Sequence, residues 1–320
     1  MRIVFAGSPA FVVPVLTALR ESRHQVIAVI TPPDKPAGRG HKLTEPPVKT
    51  EAVSRGITVE QPANANAAPF LHKLRDLKPD AIAVAAYGQI FSEEFLDLPP
   101  RGVLNVHLSL LPRYRGAAPV AWAIMRGETE TGVTLMRVAP ALDAGPVLMQ
   151  RSVEIGPDDT TGDLQERLGL LAAPMAVEAL DKVEDGTAVF APQDESKATL
   201  APALKKKRGL ISWRRSALEI KNRVRAMNPW PLAYAFYRGP TGPTQRVIVL
   251  DVVPLTGAMT GARTGQVVRC DREGPVVAVG DGCVLIRRVK PAGSREMDGA
   301  AFVRGHHIEV GGWFVRDSNG

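Results

Sequence analysis

Hydrophobic residues in the first 190 positions follow two periods in turn. Short apolar runs, such as Arg2 to Ala6, His24 to Thr31 and Ala81 to Ala86, are typical of buried strands. The segments between them, such as Phe11 to Arg20, space their apolar residues as one face of a helix does. Because a strand, a helix and a second strand form a crossover unit, such strands should run parallel. The pattern predicts an α/β domain with a Rossmann-like, mostly parallel sheet.

The hydrophobic pattern changes in the last third of the chain. An amphipathic helix is predicted over Ser216 to Met227, and from Ala233 onward short apolar runs alternate with Gly- and Pro-rich turns. The last of these runs, His306 to Phe314, is predicted as a strand. Short strands at this spacing are typical of small barrels. We therefore expect a C-terminal, OB-like β-barrel.

A segment without hydrophobic periodicity separates the two patterns. Phe190 to Lys207 is rich in Ala, Pro, Asp and Lys, which indicates a linker. The expected division is an N-terminal domain over residues 1–189, a linker over 190–208 and a C-terminal domain over 209–320.

A second polar stretch, Thr31 to Pro47, lies inside the N-terminal domain and is predicted to be a long loop. Loops of this length in a compact domain are commonly functional. This one carries Lys35, Arg39 and Lys42, with glycines on both sides of Arg39. It could wrap a phosphate backbone, and a solvated loop without function is the alternative.

Charge is distributed unevenly along the chain. Residues 205–320 carry 20 Lys and Arg against 9 Asp and Glu, whereas the preceding residues carry 20 against 24. The run Lys205-Lys206-Lys207-Arg208 begins the basic part. An anionic macromolecular partner and a solvated basic surface both account for this imbalance.

Two cysteines without a C-x-x-C spacing, Cys270 and Cys283, favour neither a zinc site nor a disulfide framework. We find no signal peptide and no apolar run long enough for a bilayer, and we expect a cytoplasmic protein without a membrane partner.

The candidate catalytic residues lie near the end of one predicted strand. Asn105 and His107 are two residues apart in the strand that starts at Val103, so their side chains share a face. Asp143 follows a neighbouring strand, and its carboxylate could orient the imidazole. An amide, an imidazole and a carboxylate suit acyl transfer through a tetrahedral intermediate. Taken singly, each residue also fits a structural role.

The combination of three separated motifs resembles the folate-dependent formyltransferases. The motifs are Asn105-x-His107-x-Ser109-Leu110-Leu111-Pro112, then Arg115-Gly116, and then Leu142-Asp143-x-Gly145. The resemblance implies that Asn105, His107 and Asp143 are the catalytic residues. It also implies that Ser109, Leu110, Leu111 and Pro112 bind the folate.

The basic loop and the second half of the chain resemble the family members that act on a tRNA. The resemblance implies transfer of the formyl group of N10-formyl-tetrahydrofolate, as co-substrate, to the α-amine of initiator methionyl-tRNA, without a metal and by a monomer. The C-terminal barrel would then bind tRNA. The residues expected to contact tRNA are Lys35, Arg39, Lys42, Lys205, Lys206, Lys207 and Arg208.

Three alternatives stay open on the residues alone. The same three side chains would serve a formyltransferase or formyl hydrolase that acts on a small amine. An RNA-binding protein with a vestigial catalytic domain is a second alternative. A nicotinamide-dependent enzyme is disfavoured, since the turn after the first strand lacks G-x-G-x-x-G.

Overall fold

The structure is a computed structural model that describes residues 1–37, 42–240, 243–255 and 261–316. The chain forms two compact units. The first comprises Met1–Pro119, Glu130–Glu154 and Leu164–Pro202, and the second comprises Val120–Thr129, Ile155–Asp163 and Ala203–Gly320. Among the described residues, no helix has the length and apolar character needed to cross a bilayer.

The described part of the first unit contains nine strands. They are β1 (Arg2–Gly7), β2 (Gln25–Ile30), β3 (Lys35–Ala37), β4 (Lys42–Thr44), β5 (Thr58–Glu60), β6 (Ala81–Ala85), β7 (Val103–His107), β8 (Glu130–Arg137) and β9 (Val147–Glu154). The helices up to residue 184 are α1 (Val13–Glu21), α2 (Pro47–Ser54), α3 (Ala68–Asp76), α4 (Glu93–Leu96), α5 (Pro119–Met125) and α6 (Thr161–Glu184).

Seven of these strands form one sheet in the order β5-β2-β1-β6-β7-β8-β9. Strands β5, β2, β1, β6 and β7 are parallel, and β8 pairs antiparallel with both β7 and β9. The prediction of a Rossmann-like, mostly parallel sheet is confirmed. The strand order changes direction between β1 and β6, and ligands commonly bind beyond the carboxyl ends of strands at such a point.

The central strands of this sheet are buried along almost their whole length. All five residues of β6 and all but the first residue of β1 are buried. Continuous apolar runs of this kind are expected where helices cover both faces of a sheet. The sheet therefore gives a rigid support to the loops that follow its strands.

The prediction of a loop throughout Thr31 to Pro47 is wrong in part. Strands β3 and β4 pair antiparallel, with Lys35 opposite Thr44 and Pro36 opposite Leu43. Strands of three residues are too short to show an alternating pattern, and a proline within one of them also argues against a strand in sequence.

The second unit contains, among its described residues, most of α5, the first turn of α6, helices α7 (Ala217–Ala226) and α8 (Gly299–Gly305), and seven strands. These are β10 (Ala233–Arg238), β11 (Gln245–Leu255), β12 (Val267–Asp271), β13 (Gly274–Ala278), β14 (Cys283–Pro291), β15 (Met297–Asp298) and β16 (Trp313–Val315). The main sheet has the order β12-β13-β14-β11-β10-β16, and all its pairs are antiparallel.

The two ends of this sheet meet. An isolated bridge joins Gln266, just before β12, to Trp313 in β16, and the Val267 N–H donates to the Gly312 carbonyl over 2.8 Å. The predicted barrel-like C-terminal fold is confirmed. The prediction of a strand starting at His306 is wrong, because that residue follows α8 and the strand begins only at Trp313. Helix α8 has seven residues, which is too few for a helical period to show in the sequence.

Candidate active site

Strand β7 brings two polar side chains to the carboxyl edge of the sheet. Asn105 pairs with Val84 of β6, and His107 lies opposite Thr134 of β8. The two side chains point to the same face because they are two residues apart in a strand. Asn105 is half-buried, and within the described part of the chain its amide makes no hydrogen bond. The amide is therefore available to a ligand.

His107 is held by one of its two ring nitrogens. The side chain is only 6% exposed, and Nε2 lies 2.9 Å from the carbonyl oxygen of Tyr114. A carbonyl oxygen only accepts hydrogen bonds, so Nε2 must carry a hydrogen. In the neutral ring, Nδ1 is then the nitrogen with the lone pair. It lies 3.6 Å from Oδ2 of Asp143.

Asp143 approaches His107 from the loop between β8 and β9. Its backbone has φ +47°, a left-handed conformation that Asp adopts more readily than most residues. Oδ2 accepts the N–H of Gly116 over 2.8 Å, which fixes the carboxylate beside the imidazole. The structure thus brings together the three residues that sequence analysis singled out as catalytic.

Gly116 has no room for a side chain. Its φ is +120°, and a Cβ at this position would lie 2.8 Å from the carbonyl oxygen of Ala201. The close approach lets the Gly116 N–H reach Asp143 while the Ala118 N–H donates to the Ala201 carbonyl. The glycine after Arg115 is therefore required by the backbone geometry of the site.

The segment Ser109–Pro112 is fixed from behind by Thr134. The Thr134 hydroxyl donates to the Ser109 carbonyl over 2.6 Å and accepts the Leu111 N–H over 3.1 Å. The Ser109 hydroxyl is used internally, because it donates to the carbonyl of Arg113. Ser109 and Leu111 are buried, whereas Leu110 and Pro112 are partly exposed. Of the four residues expected to bind folate, Leu110 and Pro112 have the accessible side chains.

A cavity of about 470 Å³ opens at the same edge of the sheet. It lies beyond the carboxyl ends of β1, β2 and β6, where the strand order changes direction. Ser8, Pro33, Lys35, Tyr87 and Gln89 contribute to its lining. Tyr87 is 4% exposed, and burial raises its pKa to about 12, so its phenol is neutral at physiological pH. Tyr87 and Gln89 were not expected as site residues, although their place directly after a buried strand was a usable signal.

The predicted basic loop is described only in part. Lys35 in β3 is exposed and lines the cavity. Arg39 and the side chain of Lys42 lie outside the described residues.

The four basic residues at 205–208 lie in the second unit and are all exposed. Lys206 to Gly209 form a short 3₁₀ helix, and the Arg208 guanidinium stacks 4.6 Å above the centre of the Trp122 ring. Lys205, Lys206 and Lys207 form no ion pair with any described residue. Exposed ammonium groups without carboxylate partners are available to an anion.

Further arginines surround Arg208. Arg223 donates from Nη1 to the Arg208 carbonyl over 2.7 Å. Burial, together with the charges of Arg215 and Arg208, lowers the pKa of Arg223. Arg316 adds to the same positive field. This cluster was not predicted from the sequence, because its members are far apart in the chain.

The described residues contain one group with donors suited to a metal ion, formed by His24, Asp181 and Glu184. The Arg23 Nε lies 3.2 Å from Glu184, so a cation already occupies this acidic group. His24 lies directly before β2, near its amino end, away from the edge of the sheet that carries His107.

Two family models match this chain, one toward each end. A family model described as Formyl transferase matches residues 1–180, and one described as Formyl transferase, C-terminal domain, matches residues 203–307. The first match spans more than half of the chain, and the chain belongs to the formyl transferase family. The resemblance found in the sequence motifs is confirmed.

Two proteins that are similar to this chain along nearly its whole length share one name, Methionyl-tRNA formyltransferase. The Methionyl-tRNA formyltransferase of Moorella thermoacetica is 45% identical over 97% of this chain and 98% of its own length. That of Acetivibrio thermocellus is 42% identical over the same shares of the two chains.

A solved structure shows the same fold. The N-formyltransferase from Helicobacter canadensis, in complex with folinic acid and dTDP-3-aminofucose, aligns with a TM-score of 0.66 and 18% identity. The alignment covers 93% of this chain and 100% of that one.

Proposed function

We propose that this chain transfers the formyl group of N10-formyl-tetrahydrofolate to the α-amino group of initiator methionyl-tRNA. The observation that carries the proposal is the meeting of Asn105, His107 and Asp143 at one sheet edge, with Nδ1 of His107 3.6 Å from Asp143. The identity of the acceptor is supported by relatives at 45% and 42% identity, which are named Methionyl-tRNA formyltransferase and align along nearly the whole chain.

The proposed reaction forms one C–N bond and breaks another. The α-amine attacks the formyl carbon, and the carbonyl oxygen becomes negative in the tetrahedral intermediate. The Asn105 amide donates a hydrogen bond to this oxygen, as preorganised donors do in acyl transfer. Collapse of the intermediate releases tetrahydrofolate, whose N10 takes up a proton.

His107 and Asp143 move the protons in this scheme. Because Nε2 is occupied by the Tyr114 carbonyl, the nitrogen that faces the reaction is Nδ1. A protonated Nδ1 would donate to the oxyanion or to N10 of the folate. The Asp143 carboxylate accepts the proton of the attacking amine, either directly or through water.

The folate and the acceptor are proposed to occupy adjacent parts of the same edge. Leu110 and Pro112 would contact the folate, while Ser109 and Leu111 shape the loop from inside. The cavity beside Lys35 would take the 3′ end of the acceptor arm, and Arg39 and Lys42 would contact the same arm. Lys205, Lys206, Lys207 and Arg208 would contact tRNA phosphates without reading bases.

The proposed domain boundaries are those of the sequence pattern, and residues 190–202 pack with the first of the two compact units. Residues 1–189 are proposed as the catalytic domain, 190–208 as the linker and 209–320 as the tRNA-binding domain. Both cysteines are free thiols, which supports action in a reducing compartment such as the cytoplasm.

The direct test is transfer of labelled formyl from N10-formyl-tetrahydrofolate to initiator methionyl-tRNA, with elongator methionyl-tRNA and small amines as parallel acceptors. We expect formylation of the initiator alone. Bound folate with no transfer to either tRNA, and transfer to a small amine instead, would contradict the proposal.

A further inference from the structure

One side chain outside the motifs is bonded to the loop that carries Asp143. Gln193 lies in the stretch between α6 and the second unit that was predicted to be a linker. Its Nε2 donates to the carbonyl of Asp143 and to the carbonyl of Gly145, both over 2.8 Å. Two carbonyls of one tight loop therefore depend on a single amide group.

The other end of the same amide is held by a buried cation. Oε1 of Gln193 accepts from Nε of Arg115 over 3.1 Å and from Nη2 over 2.7 Å. Glu195 completes the arrangement, because its carboxylate accepts from both terminal nitrogens of Arg115 at 2.8 and 2.7 Å. Arg115 is 8% exposed at its side chain, so these acceptors are what make its burial possible.

The backbone of the same stretch is fixed as well. Thr199 accepts the Tyr114 N–H at its hydroxyl and the Arg115 N–H at its carbonyl, and Leu200 forms an isolated bridge with Arg115. Ala191 bridges to Val147 at the start of β9. The stretch thus spans from the strand after the Asp143 loop to the loop after β7.

The loop that carries Asp143 needs such external support. Asp143 has φ +47°, and a Cβ at Gly145 would lie 1.8 Å from the carbonyl oxygen of Arg137. A loop in this conformation is held by its surroundings rather than by its own preference. The groups that surround the loop then set the distance between Asp143 and His107.

We infer that Gln193 is a positioning residue that holds Asp143 at its working distance from His107. Gln193 connects the two loops of the site, because it accepts from Arg115 in one and donates to the backbone of Asp143 and Gly145 in the other. The inference rests on the proposed function, since it assigns Asp143 a part in formyl transfer.

The test is a double-mutant cycle with Gln193→Glu and Asp143→Asn. Gln193→Glu keeps the acceptor for Arg115 and removes both donors to the loop. We expect kcat for formyl transfer to fall roughly tenfold to a hundredfold, since misplacement of a catalytic group has effects of this size. KM values for the folate and for tRNA should stay within about twofold, because the Gln193 amide is engaged by Arg115 and by the Asp143 loop.

The second half of the cycle separates positioning from general destabilisation. In the Asp143→Asn background, Gln193→Glu should change kcat by no more than about twofold, because residues that act together are not additive. A fold-reduction of the same size in both backgrounds would overturn the inference, and so would an unchanged kcat in Gln193→Glu alone. Gln25→Glu, at the exposed first position of β2, is the control for an added carboxylate outside this network, and we expect it to retain kcat.

Folding is controlled separately. If Gln193→Glu does not fold, Gln193→Met removes the same two donors, together with the acceptor for Arg115, without adding a carboxylate, and the cycle is repeated with it. The experiment distinguishes failure of the proposed function from failure of the positioning role of Gln193. Absence of formyl transfer by the unmutated protein counts against the proposed function, whereas normal transfer with a normal Gln193→Glu variant counts against the positioning role alone.

Discussion

The end of β7 and the segment 205–208 hold their functional side chains in different ways. At the end of β7, the His107 ring and the Asp143 carboxylate are largely shielded from solvent, and each is fixed by a backbone group. At 205–208 the three lysines are exposed and have no ion pair within the described residues. The first arrangement suits chemistry, in which a small displacement is costly, and the second suits contact with a phosphate chain, in which charge matters more than position.

The largest effect on kcat is predicted for Asn105, whose amide bonds no other described residue and lies on the same face of β7 as His107. Asn105→Ala should lower kcat about a hundredfold to a thousandfold, because a preorganised donor to the oxyanion is removed. Thermal unfolding should be unchanged, since the Asn105 side chain bonds no other described residue. Single-turnover formyl transfer measures the first and a melting curve the second.

Asn66→Ala is the matched control for this amide. The Asn66 side chain accepts from Ser92 and donates to Ile90, so its removal should lower stability and leave kcat intact. An Asn105→Ala enzyme with near-normal turnover would contradict the oxyanion role.

Substitutions in the exposed segment 205–208 should weaken tRNA binding and leave the rate of formyl transfer unchanged. The triple variant Lys205→Ala/Lys206→Ala/Lys207→Ala should weaken tRNA binding and reduce the log–log salt slope by about one for each phosphate that the protein no longer neutralises. Its kcat at saturating tRNA should be unchanged. Binding titrations at several salt concentrations provide the measurement.

The control for charge uses lysines of the first unit. Lys73 is exposed and Lys182 partly exposed, and they pair with Glu60 and Glu178. Lys73→Ala/Lys182→Ala should leave the salt slope as it is. Equal changes per lysine in both variants would mean that only overall charge matters.

A smaller effect, on stability, is expected when Thr134 is replaced, because Thr134 holds the segment Ser109–Pro112. Thr134→Val removes the donor to the Ser109 carbonyl and the acceptor of the Leu111 N–H, which should lower the free energy of unfolding by about 1–3 kcal/mol. Denaturant unfolding gives this value.

Thr131→Val, on the same strand, is a strict control. Thr131 is 3% exposed, and its hydroxyl has no hydrogen-bond partner among the residues that the structure describes. Replacing it should be neutral or stabilising. A decrease in stability equal to that of Thr134→Val would show that hydrogen bonding is not the cause.

The smallest effect is expected at the start of α7 in the second unit. Ser216 accepts the Glu219 N–H at its hydroxyl, and the Glu219 carboxylate accepts the Ser216 N–H in return. Ser216→Ala should lower the stability of this helix by about 1 kcal/mol. Hydrogen exchange of the α7 amides measures it, with the exposed Ser152→Ala as control, and formyl transfer should not change.

Sequence patterns predicted much of the fold because long elements carry a clear period. The apolar runs of β1, β2 and β6 and the amphipathic helices α1 and α7 are of this kind. Elements as short as α8 and the β3–β4 pair show too few repeats for a pattern. The meeting of Asn105, His107 and Asp143 was predictable from motif order and strand direction.

The support of the site was not predictable in the same way. Gln193 bonds to carbonyl oxygens, and every residue has one, so no residue type in the sequence marks its partners. The hydrogen bond between His107 and the Tyr114 carbonyl could not be predicted from the sequence for the same reason. Such contacts depend on where the backbone passes, which only the folded chain shows.

The measurement that tests the central comparison most directly is single-turnover formyl transfer across a range of initiator methionyl-tRNA concentrations. It would be run for the unmutated protein, for Asn105→Ala and for the triple lysine variant. We predict that Asn105→Ala lowers only the rate at saturation, and that the lysine variant raises only the tRNA concentration needed to reach it. A lysine variant with a reduced rate at saturation, or an Asn105→Ala enzyme impaired only in tRNA binding, would contradict it.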